Sequence, residues 1–363
     1  MDWNNYKWMF NQSYCLNGIT TMYEATRNQK DETWMKKTYD ELNEHLWDKR
    51  KDYKGYLEWS AQDWSGAAGK SLGTSMDVIL THAMTMNLLG LTCDYEDKLI
   101  DVSDNIYNIS KTMDEKEFGV QYNYDSDWNI VEDIPDTNSG NLLKPAWCMA
   151  DAYLATKDPK YKEAGQKYID EILNSGAYDK VYGGVYNGLD PMTGMPLDKK
   201  KNWWVLEQGV TAGLTNYYIS KNPSYLKLAD ESMEFFMNHM YDKEYGEVYS
   251  DTDEDGSNPV TMKGTYWKGG YHSLELFYYT YLYGNLMVHE KPVTLYYYIE
   301  PVDTDRTISL KPVALGENIL TIEKITLNGK KYDKFIGSIC ELQIPAHEGG
   351  EFKVTFKPVK SKF

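Results

Sequence analysis

Cysteine is scarce in this chain of 363 residues. Cys15, Cys93, Cys148 and Cys340 are scattered without CxxC spacing, so neither a disulfide framework nor a cysteine-ligated zinc site is signalled. Long apolar runs are also lacking. No stretch approaches the ~20 residues a membrane-spanning helix needs, and the sequence reads as a soluble protein. Met1–Phe10 has neither a basic start nor an apolar centre, which argues against a secretory signal. A native N-terminus would imply a cytoplasmic protein, and a removed signal an extracytoplasmic one. Positive charge is in short supply: 38 Lys and Arg against 55 Asp and Glu leave a formal charge of −17. That balance argues against nucleic-acid or anionic-membrane partners. A neutral small-molecule or oligosaccharide ligand fits better.

Aromatic residues are abundant instead, with 32 Tyr and 11 Trp. Amphipathic rings suit a core that also borders a wet cleft, and sugars stack on such surfaces. Internal repetition organises the chain. Lys157–Ala164 (KDPKYKEA) returns as Lys221–Ala229 (KNPSYLKLA), and Asp179–Tyr186 (DKVYGGVY) returns as Asp242–Tyr249 (DKEYGEVY). Weaker copies lie at Asp52–Trp59 and Asp114–Tyr122. Apolar spacing predicts helices over Asn5–Ala25, Glu32–Trp47, Ser75–Leu89, Asp94–Met113, Gly140–Thr156, Lys160–Asn174, Trp203–Ser220, Ser224–Met240 and His272–Leu286. Pro159 and Pro223 suit helix starts. Tyr53–Gly69, Phe118–Val131, Tyr182–Met195 and Tyr245–Val260 read as β-hairpins. A helix–turn–helix–hairpin period returns every hairpin to one end. Asp251, Asp253, Asp255 and Gly256 imitate the start of a calcium loop, but Met262 holds the twelfth position where a bidentate Glu is required, so a hairpin turn is expected. From Pro292 short β segments take over. The expected organisation is a helical domain over residues 1–290 and a small β-sandwich-like domain over residues 291–363.

The stretch Lys263–Tyr283 carries the chemistry. A Gly-rich turn brings His272 to the start of an aromatic-rich helix, where a histidine can exchange protons near neutral pH. The helix N-terminus and Lys268 are expected to lower its pKa. The paired helices look like an incomplete (α/α)6-barrel-like toroid, all-α apart from its hairpins and the C-terminal β domain. In detail the chain resembles the N-acylglucosamine 2-epimerase superfamily, which includes cellobiose 2-epimerases and aldose–ketose isomerases. The resemblance covers roughly Asn5–Met287 and rests on two stretches. Tyr182–Trp204 is similar to the family's GG-hairpin and K-x-W-W, here Lys201, Trp203 and Trp204. Tyr245–His272 is similar to its Y-G-G hairpin and Tyr-His pair, here Tyr271 and His272.

The resemblance implies that His272 is a general acid/base at carbon 2 of an opened sugar. Elsewhere the pattern departs. Gly140 is followed by Asn141, Lys144 and Trp147 in place of Gly-His; Gln12, Ser13 and Tyr14 stand where the family has Gln-x-Arg. Glu207 and Gln208 follow the Trp pair, Glu275 replaces an Arg, and Thr74, Ser75 and Asp77 replace Thr-His-x-His, with His82 further along the same face. The family's first helix and hairpin are missing, which suggests a chain that starts late in a longer polypeptide.

Proton transfer at carbon 2 needs acid/base groups on the faces used and fixed partners for an enediolate. The candidate catalytic residues are His272, Glu207 and Glu275. Candidate substrate contacts are Trp147, Trp203, Trp204, Asn141, Lys144, Gln208, Lys268 and Tyr14, and Lys201 is a further candidate for the oxyanion. The three Trp are expected to line the cavity at the hairpin end. No metal or cofactor is expected. Two other readings stay open. One is a glycan hydrolase or lyase drawing its carboxylates from Asp63, Asp127, Asp190, Glu207 and Glu275; the other is a non-catalytic sugar-binding or structural module. A homodimer and membership in a longer polypeptide are both compatible with the sequence.

Overall fold

The computed structural model describes residues 5–89, 94–115, 118–132, 134–312, 315 and 319–359. Cys93 and part of the weak copy at Asp114–Tyr122 lie outside them. The helices are α1 (Met9–Thr26), α2 (Gln29–His45), α3 (Leu72–Val78), α4 (Met84–Leu89), α5 (Tyr95–Ser110), α6 (Ser139–Thr156), α7 (Pro159–Asn174), α8 (Trp203–Ser220), α9 (Pro223–Phe235) and α10 (Tyr271–Tyr279). A π turn, Ile79–Ala83, joins α3 to α4, and π turns Phe236–Met240 and Thr280–Val288 prolong α9 and α10. The chain divides into two compact units. One holds Met1–Asn105, Asn123–Val131 and His289–Phe363; the other holds Ile106–Tyr122 and Glu132–Val288.

One helix–helix turn is built three times. Thr26, Thr156 and Ser220 donate their hydroxyls to the carbonyls of Met22, Ala152 and Asn216 in their own last turns. The next residues, Arg27, Lys157 and Lys221, adopt the left-handed conformation with φ of 53°, 61° and 59°. That conformation costs a non-glycine roughly 1–2 kcal/mol. Asn28, Asp158 and Asn222 then cap the following helices by accepting the N–H of Lys30, Lys160 and Ser224. Each cap contributes about 1 kcal/mol and offsets much of that cost.

A second device recurs in the hairpins, where an aspartate caps the turn and a lysine holds its far side. Lys70 Nζ lies 2.9 Å from Asp48, Lys201 Nζ 2.8 Å from Asp179 and Lys263 Nζ 2.5 Å from Asp242. Each lysine also donates to a carbonyl of its turn: Tyr53, Gly183 and Gly246 respectively. The segments Lys70–Ser71 and Lys201–Asn202 are short strands, paired with Asn123–Tyr124 and Asp251–Thr252. Ser71 and Asn202 then accept the N–H groups of Thr74 and Trp204 as helix caps. The ion pair thereby sets where α3 and α8 begin. The expected calcium-loop imitation is indeed a turn, with Asn258 donating to Asp253 and Ser257 to Asp255.

In the second unit, α6 packs on α7 and α8, and α8 packs on α9 and α10. α8 is buried from Val205 to Asn216, as expected of a helix covered on all sides. At Gly213 a β-carbon would fall 2.6 Å from the Tyr225 carbonyl oxygen, so only glycine permits this approach of α9.

In the first unit, α1 packs on α2 and on the strand Val293–Ile299. The C-terminal strands form a four-stranded antiparallel sheet in the order Lys330–Tyr332, Leu320–Leu327, Gly350–Pro358, Val293–Ile299. A three-stranded sheet runs Arg306–Ser309, Glu341–Ile344, Phe335–Ile336. Arg27 ties helices to strands by donating from Nε and Nη2 to the Ser309 carbonyl at 3.1 and 2.6 Å.

Candidate active site

His272 lies in the first turn of α10, after a Gly-rich loop fixed by the buried Lys268. The Lys268 ammonium donates to Glu247 at 2.7 Å and to the Lys263 carbonyl at 2.8 Å, and Ser273 donates to the other oxygen of Glu247. Glu275 follows one turn later on the same face of α10, and Glu207 reaches in from α8. Nδ1 of His272 is 3.1 Å from Glu207 Oε2 and 3.2 Å from Glu275 Oε2. One nitrogen therefore faces two carboxylates.

The carboxylates are held from behind. Glu207 Oε1 accepts the Thr211 hydroxyl at 2.9 Å, and its Oε2 also accepts the Gln208 amide. Gln208 in turn accepts the Trp147 indole N–H. Glu275 Oε1 accepts the Tyr271 hydroxyl at 2.8 Å. Nε2 of His272 makes no hydrogen bond among the described residues, and 19% of the side chain stays exposed. Trp203, Trp204 and Tyr271 surround the imidazole at 6.2, 5.9 and 4.9 Å between ring centres. Trp204 can lie there because Gly140 has no β-carbon: one would sit 2.2 Å from the indole.

This geometry reverses the expected pKa of His272. Burial lowers it, but the hydrogen bonds to Glu207 and Glu275 and their negative charge outweigh burial and raise it to about 9. The expectation weighed the helix N-terminus and Lys268, and missed two carboxylates within hydrogen-bond distance. Burial together with the charge of Glu275 pushes Glu207 up to about 7, against the pull of His272 and Thr211. Glu207, His272 and Glu275 could also converge on a cation, since their ligand atoms lie within 4.8 Å of one another.

The other candidates are dispersed. Trp147 and Trp203 are 1% and 6% exposed, so of the three Trp expected at the cavity only Trp204, half-buried, keeps an accessible face. Asn141 donates to Asp136 at 2.7 Å, and Lys144 is buried within α6. Lys201 is fully buried against Asp179, which removes it as an oxyanion partner. Asp190 caps its own hairpin turn. Tyr14 belongs to the other unit and donates to Asp77 at 3.3 Å. Asp63 and Asp127 are in that unit too, bonded to Ser65 and Arg50. His82, also there, is buried against Thr81, and burial pulls its pKa down to about 3. Thr211 escaped the sequence reading, although its place one helical turn after Glu207 was a usable signal.

Fold and site together define a class: helix-pair proteins of the (α/α)6-barrel-like toroid type, with an imidazole held between carboxylates at a helix start. The chain belongs to the N-acylglucosamine 2-epimerase (GlcNAc 2-epimerase) family, whose sequence pattern matches residues 3–275. It is 25% identical over 255 residues to D-mannose isomerase of Marinomonas mediterranea, covering 67% of this chain and 63% of that protein. It thus spans less than two thirds of that relative's length. The cellobiose 2-epimerase structure from Spirochaeta thermophila superposes with a TM-score of 0.64 at 19% identity, over 75% of this chain and 69% of that one. A glycoside hydrolase family 76 mannosidase of Bacteroides thetaiotaomicron superposes with a TM-score of 0.54 at 16% identity, over 75% and 71%.

Proposed function

We propose that the protein moves a proton at carbon 2 of an open-chain neutral sugar, with His272 as the general acid/base. The observation that carries this reading is the imidazole whose Nδ1 is held by Glu207 and Glu275 while Nε2 stays open. A base oriented on one nitrogen and free on the other is the arrangement proton abstraction requires. Trp204 supplies an apolar ring beside it on which a sugar face can rest. Glu207 and Glu275 hold the imidazolium that forms, and delivery of its proton to carbon 1 of the enediol restores the base.

A single open nitrogen suits transfer between carbon 2 and carbon 1 on one face of the enediol. That is aldose–ketose isomerisation, the activity named for the D-mannose isomerase relative. Epimerisation would need a second group on the opposite face or a rotation of the intermediate.

The hydrolase reading is supported by the fold likeness to the family 76 mannosidase, but the carboxylates speak against it. Glycosidase pairs stand ~5–5.5 or ~6.5–9.5 Å apart with the sugar between them. Glu207 and Glu275 instead grip one nitrogen, within 4.8 Å of each other.

The test is a proton NMR screen of mono- and disaccharides in deuterated water. The expected result is a ketose with deuterium at carbon 1. An epimeric aldose as first product would replace isomerisation by two-face chemistry. Absence of both ketose formation and exchange at carbon 2 in every sugar would overturn the proposal.

A further inference from the structure

We propose that Trp147 is a positioning residue that fixes the tautomer of His272 through Gln208 and Glu207. This rests on the reading of His272 as the base, but its test does not need turnover. The argument is one of donors and acceptors. An indole N–H can only donate, so the Gln208 atom that meets Trp147 must be its carbonyl oxygen. The Gln208 amide nitrogen is then committed to Glu207 Oε2.

That N–H stabilises negative charge on Oε2 and keeps it an acceptor. A proton taken up by Glu207 therefore sits on Oε1, where the Thr211 hydroxyl can receive it. His272 Nδ1 then faces two acceptor oxygens, Glu207 Oε2 and Glu275 Oε2. Neutral His272 carries its hydrogen on Nδ1 and presents the lone pair of Nε2 to the open side. Without the indole N–H, the Gln208 amide can turn over and offer its oxygen to Glu207. Facing that oxygen, Oε2 would hold a proton more tightly and stop accepting from Nδ1, leaving Glu275 Oε2 as its one acceptor; part of the neutral imidazole would then carry its hydrogen on Nε2, where no base remains. Trp147 is buried at 1% exposure, so it acts on substrate through this chain of bonds rather than by touching it.

The experiment is nitrogen-15 NMR of histidine-labelled protein, followed from pH 6 to 10. The chain has 6 His, and the His272 signals are assigned by their loss in His272→Asn. In the wild type, deprotonation should leave Nε2 with the shift of a bare ring nitrogen and Nδ1 with that of an N–H. Trp147→Phe, which keeps the ring bulk, should give mixed tautomer shifts at both nitrogens. For a sugar that turns over, it should lower kcat about tenfold or more with KM little changed. Gln208→Met breaks the same chain at its middle and should give the same shifts; it carries the test alone if Trp147→Phe fails to fold. The double variant should be no worse than either single. Wild-type tautomer shifts retained in a folded Trp147→Phe or Gln208→Met protein would overturn the proposal. Failure of the isomerase reading would show instead as no turnover in a wild type with the expected tautomer.

Discussion

Two groups of buried charge lie close together around the start of α8, and they are built on opposite plans. Lys201 and Asp179 form a closed pair at 2.8 Å, both side chains fully buried. Every strong group in it has a destination: Asp179 also accepts the N–H groups of Val181 and Tyr182, and Lys201 donates to the Gly183 carbonyl. Burial lowers the Lys201 pKa to about 8 against the pull of Asp179, while the Asp179 carboxyl, though burial opposes it, is held below its usual range by Lys201 and the backbone. The lysine resists its charge and the aspartate favours its own, so the pair is close to break-even as a source of stability and acts as a fastener. The Glu207–His272–Glu275 group sets two acids against one base and leaves Nε2 unmatched. What separates the closed pair from the cluster proposed to be catalytic is this surplus of acidic groups and one unused hydrogen-bonding position on the imidazole, not burial.

The largest effect that sharpens the comparison falls on activity. His272→Asn places an amide N–H where Nδ1 was, so the carboxylates keep a donor while the base disappears. Turnover of any sugar found in the deuterium screen should fall ~10²–10⁴-fold, with binding nearly unchanged by calorimetry. Full activity in this variant would move the chemistry away from the open cluster.

The closed cluster should respond in stability instead. Lys201→Met keeps the stem and removes the ammonium, stranding a buried carboxylate. Losing one partner of a buried pair costs about 3–5 kcal/mol, measured as a shift of the urea midpoint. The Asp179→Asn, Lys201→Met double variant should recover part of that loss, because no charge is then stranded.

Most helices were legible because their signals are local. The helix expected over Trp203–Ser220 is found with those bounds, since Asn202 caps one end and the other is closed by the Lys221 turn. Partners were not legible, because pairing is non-local. Tyr6–Trp8 was read as the start of a helix but is a strand against Trp59–Ala61. Phe118–Val131 was read as a hairpin, and Tyr124 does pair with Ile130, but the further pairing of Asn123–Tyr124 with Lys70–Ser71 had no local signal. The π turns left no mark in the apolar spacing. In the site, His272 and Glu275 were legible as neighbours one turn apart. The approach of Glu207, from 65 positions away, joins Glu275 in raising the His272 pKa against burial and could come only from the packing of α8 on α10. Lys201 looked available for chemistry because the sequence does not tell a fastened lysine from a solvated one.

The smallest effect concerns pH. Glu207 is raised to about 7 from 4.5, and His272 to about 9 from 6.5. In both cases the native state holds the proton more tightly than the unfolded chain. The stability each proton brings is therefore fully present below the unfolded value and is lost as pH rises through the folded one. For Glu207 that window runs from about 4.5 to 7, and for His272 from about 6.5 to 9. At ~1.4 kcal/mol per unit, each group accounts for at most roughly 3–4 kcal/mol, and less because the two share one hydrogen bond. Glu207→Gln removes the first titration and one of the two charges that raise His272. The difference in unfolding free energy between this variant and the wild type, followed by urea titration, should change steadily between pH 5 and 7. The wild type loses stability there that the variant keeps. Above pH 7 the difference should continue to move, since His272 in the variant faces only Glu275 and releases its proton earlier. A difference that stays flat from pH 5 to 9 would mean that Glu207 titrates as an ordinary solvated carboxylate, and the contrast between the open and closed clusters would lose its electrostatic basis.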